Sequence, residues 1–212
     1  MKLIVRIVAS ITLILWAVLS VAGAYDDALS AIDKDDGRVL AGLLKKGLDP
    51  NTSDPEGNTL LMKAARGGKM TALKELLASG AKVNQPNSVG ETALMLASIG
   101  GHMPAARELI AKGAEVNTKG WTPLIYAAVY GNTDMMKLLL GSGAQVNGQA
   151  ENGMTALMMA AHEGHMGAVK FLLANGANVN VRNGEDRTAL AIAKGRDKGE
   201  IAVVLVQAGG TE

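Results

Sequence analysis

From residue 25 onward, apolar residues recur at steps of three and four, in short runs separated by glycine-containing breaks. That spacing places them along one face of a helix. The clearest copy runs from Gly153 to Asn180. An apolar segment (Ala156, Leu157, Met159, Ala160) leads into the turn Glu163-Gly164-His165, and a second (Ala168, Val169, Leu172, Leu173) stops at Asn175-Gly176. The pattern predicts two short amphipathic helices joined by a tight turn. Elsewhere the second helix of the pair shows the same stripe, as in Leu73, Leu76, Leu77 and in Met135, Leu138, Leu139. Gly80, Gly113, Gly143 and Gly176 end these helices, where a left-handed cap favours glycine. Pro104 falls in a first helical turn, where its missing N–H costs little.

The pair repeats. Thr59, Thr92, Thr122, Thr155 and Thr188 are spaced by 33, 30, 33 and 33 residues. Asn51, Asn84, Asn117, Asn147 and Asn180 close each unit in the same register, and Gly68, Gly101, Gly131 and Gly164 mark the turn inside it. Chance does not hold three independent landmarks in phase over most of a chain. The threonine opens TLLM (59–62), TALM (92–95), TPLI (122–125), TALM (155–158) and TALA (188–191), and the units close as GLDPN, GAKVN, GAEVN, GAQVN and GANVN. These boxes resemble the TPLH and GADVN motifs of the ankyrin repeat family, over roughly residues 25 to 209. The resemblance implies an all-α solenoid of stacked helix-turn-helix units with short β-turn fingers.

On that reading residues 25–54 form an N-terminal capping repeat, 55–182 four repeats (about 55–86, 87–117, 118–149 and 150–182), and 183–212 a C-terminal capping repeat. The aspartates Asp26, Asp27, Asp33, Asp35 and Asp36 suit the wet side of a terminal unit; they lack the ligand alternation of a calcium loop. Asn117-Thr118-Lys119-Gly120 leaves no room for an extended turn, so the third finger should be clipped. The last four residues, Gly209 to Glu212, should fray. One departure from the family stands out. The histidine of the box is replaced by Met62, Met95, Ile125, Met158 and Ala191, exchanging a directional hydrogen bond for shape and dispersion.

Residues 1–24 lie outside the repeat. Lys2 and Arg6 precede a mainly apolar run from Ile7 to Val21, and Ala22-Gly23-Ala24 supplies an A-x-A site. This is the layout of a secretory signal peptide cut after Ala24, and the run is shorter than the ~20 residues a spanning anchor needs. A periplasmic or secreted protein follows, with no membrane attachment after cleavage. The chain has no cysteine, so nothing can mispair in an oxidising compartment. The net charge of +1 becomes −1 once Lys2 and Arg6 leave, which argues against nucleic acid as partner.

Catalytic chemistry finds no constellation. His162-Glu163-Gly164-His165 is one residue short of a metalloprotease HExxH and straddles a turn. His102 and His165 fall in the family's Gly-His turn, where an imidazole can bond nearby backbone. There is neither a cysteine nucleophile nor a serine with a plausible His/Asp pair. No cofactor, metal site or enzymatic activity is therefore expected. The ten methionines beyond the leader could bind Cu(I) or absorb oxidant, but most fall at inward positions and read as core filling, with Met154 and Met159 left open as contact residues.

What remains is surface, where the resemblance implies a concave groove that binds another protein. The finger position before each threonine holds Asn58, Glu91, Trp121, Met154 and Arg187. The exposed end of the first helix holds Arg66, Ile99, Val129 with Tyr130, His162 with Glu163, and Arg196. Trp121, Tyr126 and Tyr130 fall within ten residues, and large rigid aromatics are favoured interface anchors. The predicted contact set is Trp121, Tyr130, Ile99, Val129 and Met154, with Glu91, Arg66, His162, Glu163 and Arg196 around it. The protein alone should be a monomer.

Overall fold

A computed structural model of the chain describes residues 23–212. Over them it forms helix pairs in series: α1 (23–33) with α2 (Gly37–Lys45), α3 (Leu60–Arg66) with α4 (Met70–Ala78), α5 (Ala93–Gly100) with α6 (Met103–Ala111), α7 (Pro123–Val129) with α8 (Thr133–Gly141), α9 (Ala156–Glu163) with α10 (Met166–Ala174), and α11 (Ala189–Gly195) with α12 (Gly199–Gln207). From α3 onward, first helices stack on first helices, and from α2 onward second helices stack on second helices, so two rows run side by side. This is an all-α repeat solenoid. Among the described residues the only β pairing is two isolated bridges, Ser53–Thr59 and Gln149–Thr155, at the bases of fingers. No described helix is long and apolar enough to cross a membrane. The leader up to Ala22 falls outside the described residues; Gly23 and Ala24 are part of α1.

The repeated threonine starts each first helix. Its extended backbone turns the chain, and in four of the five copies, Thr92 being the exception, its hydroxyl accepts an amide left free at the helix start. Thr59, Thr122, Thr155 and Thr188 accept from the N–H groups of Met62, Ile125, Met158 and Ala191 at 3.2, 3.2, 3.2 and 3.3 Å. Where the family carries histidine, a thioether takes over part of the polar role. The Thr59 N–H donates to the Met62 sulfur at 3.4 Å, and the Thr92 N–H to the Met95 sulfur at 3.3 Å. Methionine thus does more here than fill space, because its sulfur satisfies a buried backbone donor.

First helices lie between their own partners and the neighbouring units, and are therefore buried nearly all round. In α9 every residue from Ala156 to Ala161 is buried, Met158 and Met159 included. Large apolar residues fill the first turn of these helices and small ones follow, as in Leu60-Leu61-Met62 before Ala64-Ala65 and Leu157-Met158 before Ala160-Ala161. Second helices bury a single stripe, such as Met135, Met136 and Leu139 of α8.

The turn glycines follow from the stacking. Gly131 has φ +64, and a Cβ there would lie 2.7 Å from the His165 ring of the next unit. His165 is fixed in that place by Nε2, which bonds the Val129 carbonyl at 2.8 Å, as the Gly-His turn implied. Gly68 is covered by His102 in the same manner, at 2.5 Å. The N-terminal unit breaks the rule with Asp35, also left-handed at φ +52. Its carboxylate reaches the next unit instead, accepting from the Ala72 N–H at 2.9 Å and the Thr71 hydroxyl at 3.2 Å at the start of α4. Asp36 caps α2 through the Arg38 and Val39 amides. These aspartates are capping groups as well as solvated ones.

The phased asparagines form a ladder along the opposite edge. The side-chain oxygens of Asn51, Asn84, Asn117, Asn147 and Asn180 accept from the backbone N–H of Lys82, Glu115, Gln145, Asn178 and Thr211 at 2.7–2.8 Å. Each rung ties one unit to the next. The final rung corrects an expectation of fraying. Thr211 is held by Asn180, its carbonyl accepts from the buried Thr188 hydroxyl at 2.6 Å, and Glu212 is bonded by Arg182 and Lys194. Thr211 falls in the same register as Lys82, Glu115, Gln145 and Asn178, so the last rung is made as the others are.

Candidate functional site

Five fingers project beside the first helices, at residues 53–59, 87–92, 118–122, 149–155 and 182–188. In four of them a backbone N–H to carbonyl bond closes the loop: Asp54 to Asn58, Asn87 to Glu91, Ala150 to Met154 and Asn183 to Arg187, at 2.9–3.1 Å. The third is closed only by the Thr118 hydroxyl on the Trp121 carbonyl at 3.1 Å. It is clipped as its missing three residues predict, and its shortness opens a cleft of about 130 Å³ between its neighbours. Val89, Gly90 and Glu91 form one side, Lys119, Gly120 and Trp121 the other, with Tyr126, Met95 and Glu151 completing the walls.

The aromatic cluster predicted from sequence is an aligned stripe. The Trp121 and Tyr126 rings lie 5.3 Å apart, inclined at 39°. Tyr130 follows one helical turn after Tyr126, on the same side of α7, and is 56% exposed. Trp121 and Tyr126 are half-buried, and Tyr126 lies both beside Trp121 and at the junction with the preceding unit. Ile99 and Val129 are half-buried beside the core, and Arg66, Glu163 and Arg196 are exposed. His162 bonds Glu163 through Nδ1 at 2.7 Å, an exposed neighbour pair. Met154 is placed differently from the sequence expectation. It is only 9% exposed, and its sulfur accepts from Asn183 Nδ2 at 3.3 Å, so it packs between fingers instead of standing on the surface. Met159, at 8%, is likewise inside.

Glu91 is more than a rim charge. Its Oε1 accepts from the Tyr126 hydroxyl at 3.1 Å and its Oε2 from Asn87 Nδ2 at 2.9 Å. Burial, then the Glu91 charge and its hydrogen bond, push the Tyr126 phenol well above its ordinary range, so it stays a donor. The chain of bonds continues: Asn87 Nδ2 also donates to Asn58 at 2.9 Å, and Asn58 to Asp54 at 3.0 Å. Asp54 in turn pairs with Lys63 at 2.7 Å. One polar line thus runs from the first finger to the aromatic stripe in the third unit. Burial works to raise the Asp54 carboxyl, but the bonds from Lys63 and Asn58 outweigh it and bring it down to about 2. Lys63 is held above its usual value by the same pair, against the opposing effect of burial.

Sequence reasoning missed Val89, Asn87, Glu151 and Lys119. Val89 is 77% exposed at the tip of the second finger. Its signal was the clipped third finger: removing residues there had to expose whatever flanks it. Among the described residues no group of three or more His, Asp or Glu is placed to hold a metal ion.

The stacked pairs, finger loops and threonine caps define a repeat scaffold. A family model of three consecutive ankyrin repeats matches residues 29–119 and 61–150, and a single-repeat model matches 152–184. The chain belongs to the ankyrin repeat family. Comparison with curated proteins returned no match. Ankyrin repeats generally serve as non-enzymatic modules for protein–protein interaction.

Proposed function

We propose that this chain is an exported ankyrin-repeat protein that binds another protein through the face formed by its fingers and first helices, centred on Trp121, Tyr126 and Tyr130. The observation that carries the reading is the aromatic stripe. Three rings lie along one helix and its finger, with Tyr130 56% exposed and Val89 77% exposed close to Trp121. Exposed apolar side chains grouped in this way favour a docking surface. Ile99 and Val129 add apolar contact, while Arg66, His162, Glu163 and Arg196 provide a polar rim that orients the partner.

Support for export comes from the leader composition alone, with cleavage after Ala24 and a periplasmic or secreted destination. A copper or oxidant role for the methionines gains little support from their placement. Met62, Met95, Met135, Met136 and Met158 are 0–1% exposed, and two of their sulfurs are engaged by backbone amides.

The test is capture of partners from the native compartment, comparing wild type with a Trp121→Ala/Tyr130→Ala double variant of confirmed helicity. Loss of a specific partner from the variant is the expected result. Equal capture by both proteins removes the aromatic centre from the binding face. Mass spectrometry of the recovered protein should find Tyr25 as its first residue; a retained leader would overturn the export route.

A further inference from the structure

The cleft left by the short third finger has a chemistry of its own. Two aromatic rings stand against it, and two carboxylates, Glu91 and Glu151, reach it from opposite fingers. Glu91 is oriented by two neutral donors, Tyr126 and Asn87, and has no ion-pair partner among the described residues. Two accepted bonds leave a carboxylate with further acceptor capacity. Glu151 is exposed and lies over the turn that carries Trp121: a Cβ on Gly120 would be 3.7 Å from its Oε1. Lys119 is the one cation on the wall, and it too has no ion-pair partner among the described residues. At about 130 Å³ the space suits the head of one side chain, not a helix.

We propose that this cleft receives the guanidinium of an arginine side chain on the partner protein, stacked against Trp121 and Tyr126 and bonded to Glu151 and Glu91. The proposal rests on the reading of this face as a protein-binding surface and names what it recognises. Aromatic faces attract cations through their quadrupole. Arginine is favoured over lysine because its flat, weakly hydrated head can stack on a ring while its fork of N–H donors meets a carboxylate. A neutral side chain of the same shape would leave Glu91 and Glu151 without a counter-charge. Lys119 is exposed and can swing away from the lip, although its charge weakens the attraction.

The test uses the full chain carrying Trp16→Phe, which leaves Trp121 as its single indole. N-acetyl-arginine amide is titrated while Trp121 fluorescence is followed, with the lysine and citrulline counterparts as parallel arms. A saturable response to the arginine probe in the millimolar range is expected, as suits one isolated side chain. The lysine probe should bind several-fold more weakly and citrulline should give no saturation. Glu151→Gln should weaken the arginine response about tenfold, the size of a charge-assisted contact, and Lys119→Ala should strengthen it. Both positions are exposed, so circular dichroism should be unchanged. Equal binding of citrulline, or a Glu151→Gln variant that binds as well as its parent, overturns the proposal. Equal binding of lysine overturns its choice of guanidinium. If arginine titrates as expected but the Trp121→Ala/Tyr130→Ala variant captures the same proteins as wild type, the binding-face reading fails and the cleft stands.

Discussion

At the scale of single residues, the Lys63–Asp54 pair is where charge and stability meet most clearly. Its side chains are 30% and 14% exposed, so the pair is screened less than a surface ion pair. The Asp54 carboxyl titrates near 2 when folded, against about 3.9 in an unfolded chain. A carboxyl whose folded value is depressed contributes stability that is complete above the unfolded value and lost as pH falls toward the folded one. Asp54→Asn should therefore cost about 1–2 kcal/mol at pH 7, allowing for partial screening. The difference from wild type should shrink between about pH 4 and pH 2. Urea unfolding of both proteins at several pH values in that window checks it; a difference that stays constant would mean the pair contributes nothing through charge. None of this was legible in the sequence. Asp54 and Lys63 are nine apart, and only the finger's fold brings them together. The methionine sulfurs were half legible: their substitution for histidine stood in the sequence, but their service as acceptors for Thr59 and Thr92 depends on rotamers no spacing reveals.

At the scale of the element, the regular features were the readable ones. The phased glycines marked the turns and the short third step had to clip a finger, whereas the capping role of Thr59, Thr122, Thr155 and Thr188 came only with the structure. What the phase of the asparagines did was not readable, because a ladder between units is a property of stacking and not of any one unit. Asn117 shows the consequence. It accepts from the Gln145 N–H at 2.8 Å and donates to the Gly143 carbonyl at 2.8 Å, across the junction where the finger is already short. Replacing it with alanine removes both bonds, each worth about 1 kcal/mol. The Asn117→Ala chain should lose about 2 kcal/mol, and amide exchange should quicken first around Gly143 to Gln145. Asn51→Ala, at the far end of the ladder, should leave exchange there unchanged. Uniform acceleration in both variants would contradict a ladder of separate rungs. Met154 was misplaced for a related reason: the sequence puts it at a finger position, while Asn183 from the next finger covers it.

For the whole molecule, the first and last described units make contacts that the units between them do not. The N-terminal unit does so with aspartates that cap helices, Asp36 its own α2 and Asp35 the following α4. In the last unit the closing residues keep the register of the units before it and gain further bonds. Asn180 keeps a partner in Thr211, the buried Thr188 hydroxyl donates to the Thr211 carbonyl, and Arg182 and Lys194 hold Glu212. Without those residues the last rung of the ladder would be left open, and a buried hydroxyl would have no acceptor. Ending the chain at Ala208 should therefore lower the free energy of unfolding by about 2–4 kcal/mol, the sum of a few such bonds. Because each unit touches only its neighbours, the loss should be confined. Amides of α11 and α12 should exchange faster, those of α3 to α6 at the wild-type rate, and Trp121 should respond to N-acetyl-arginine amide as before. A truncated protein with unchanged melting would show that the tail is loose after all, and one that melts as a single weakened block would show that the units are coupled more tightly than nearest-neighbour stacking allows.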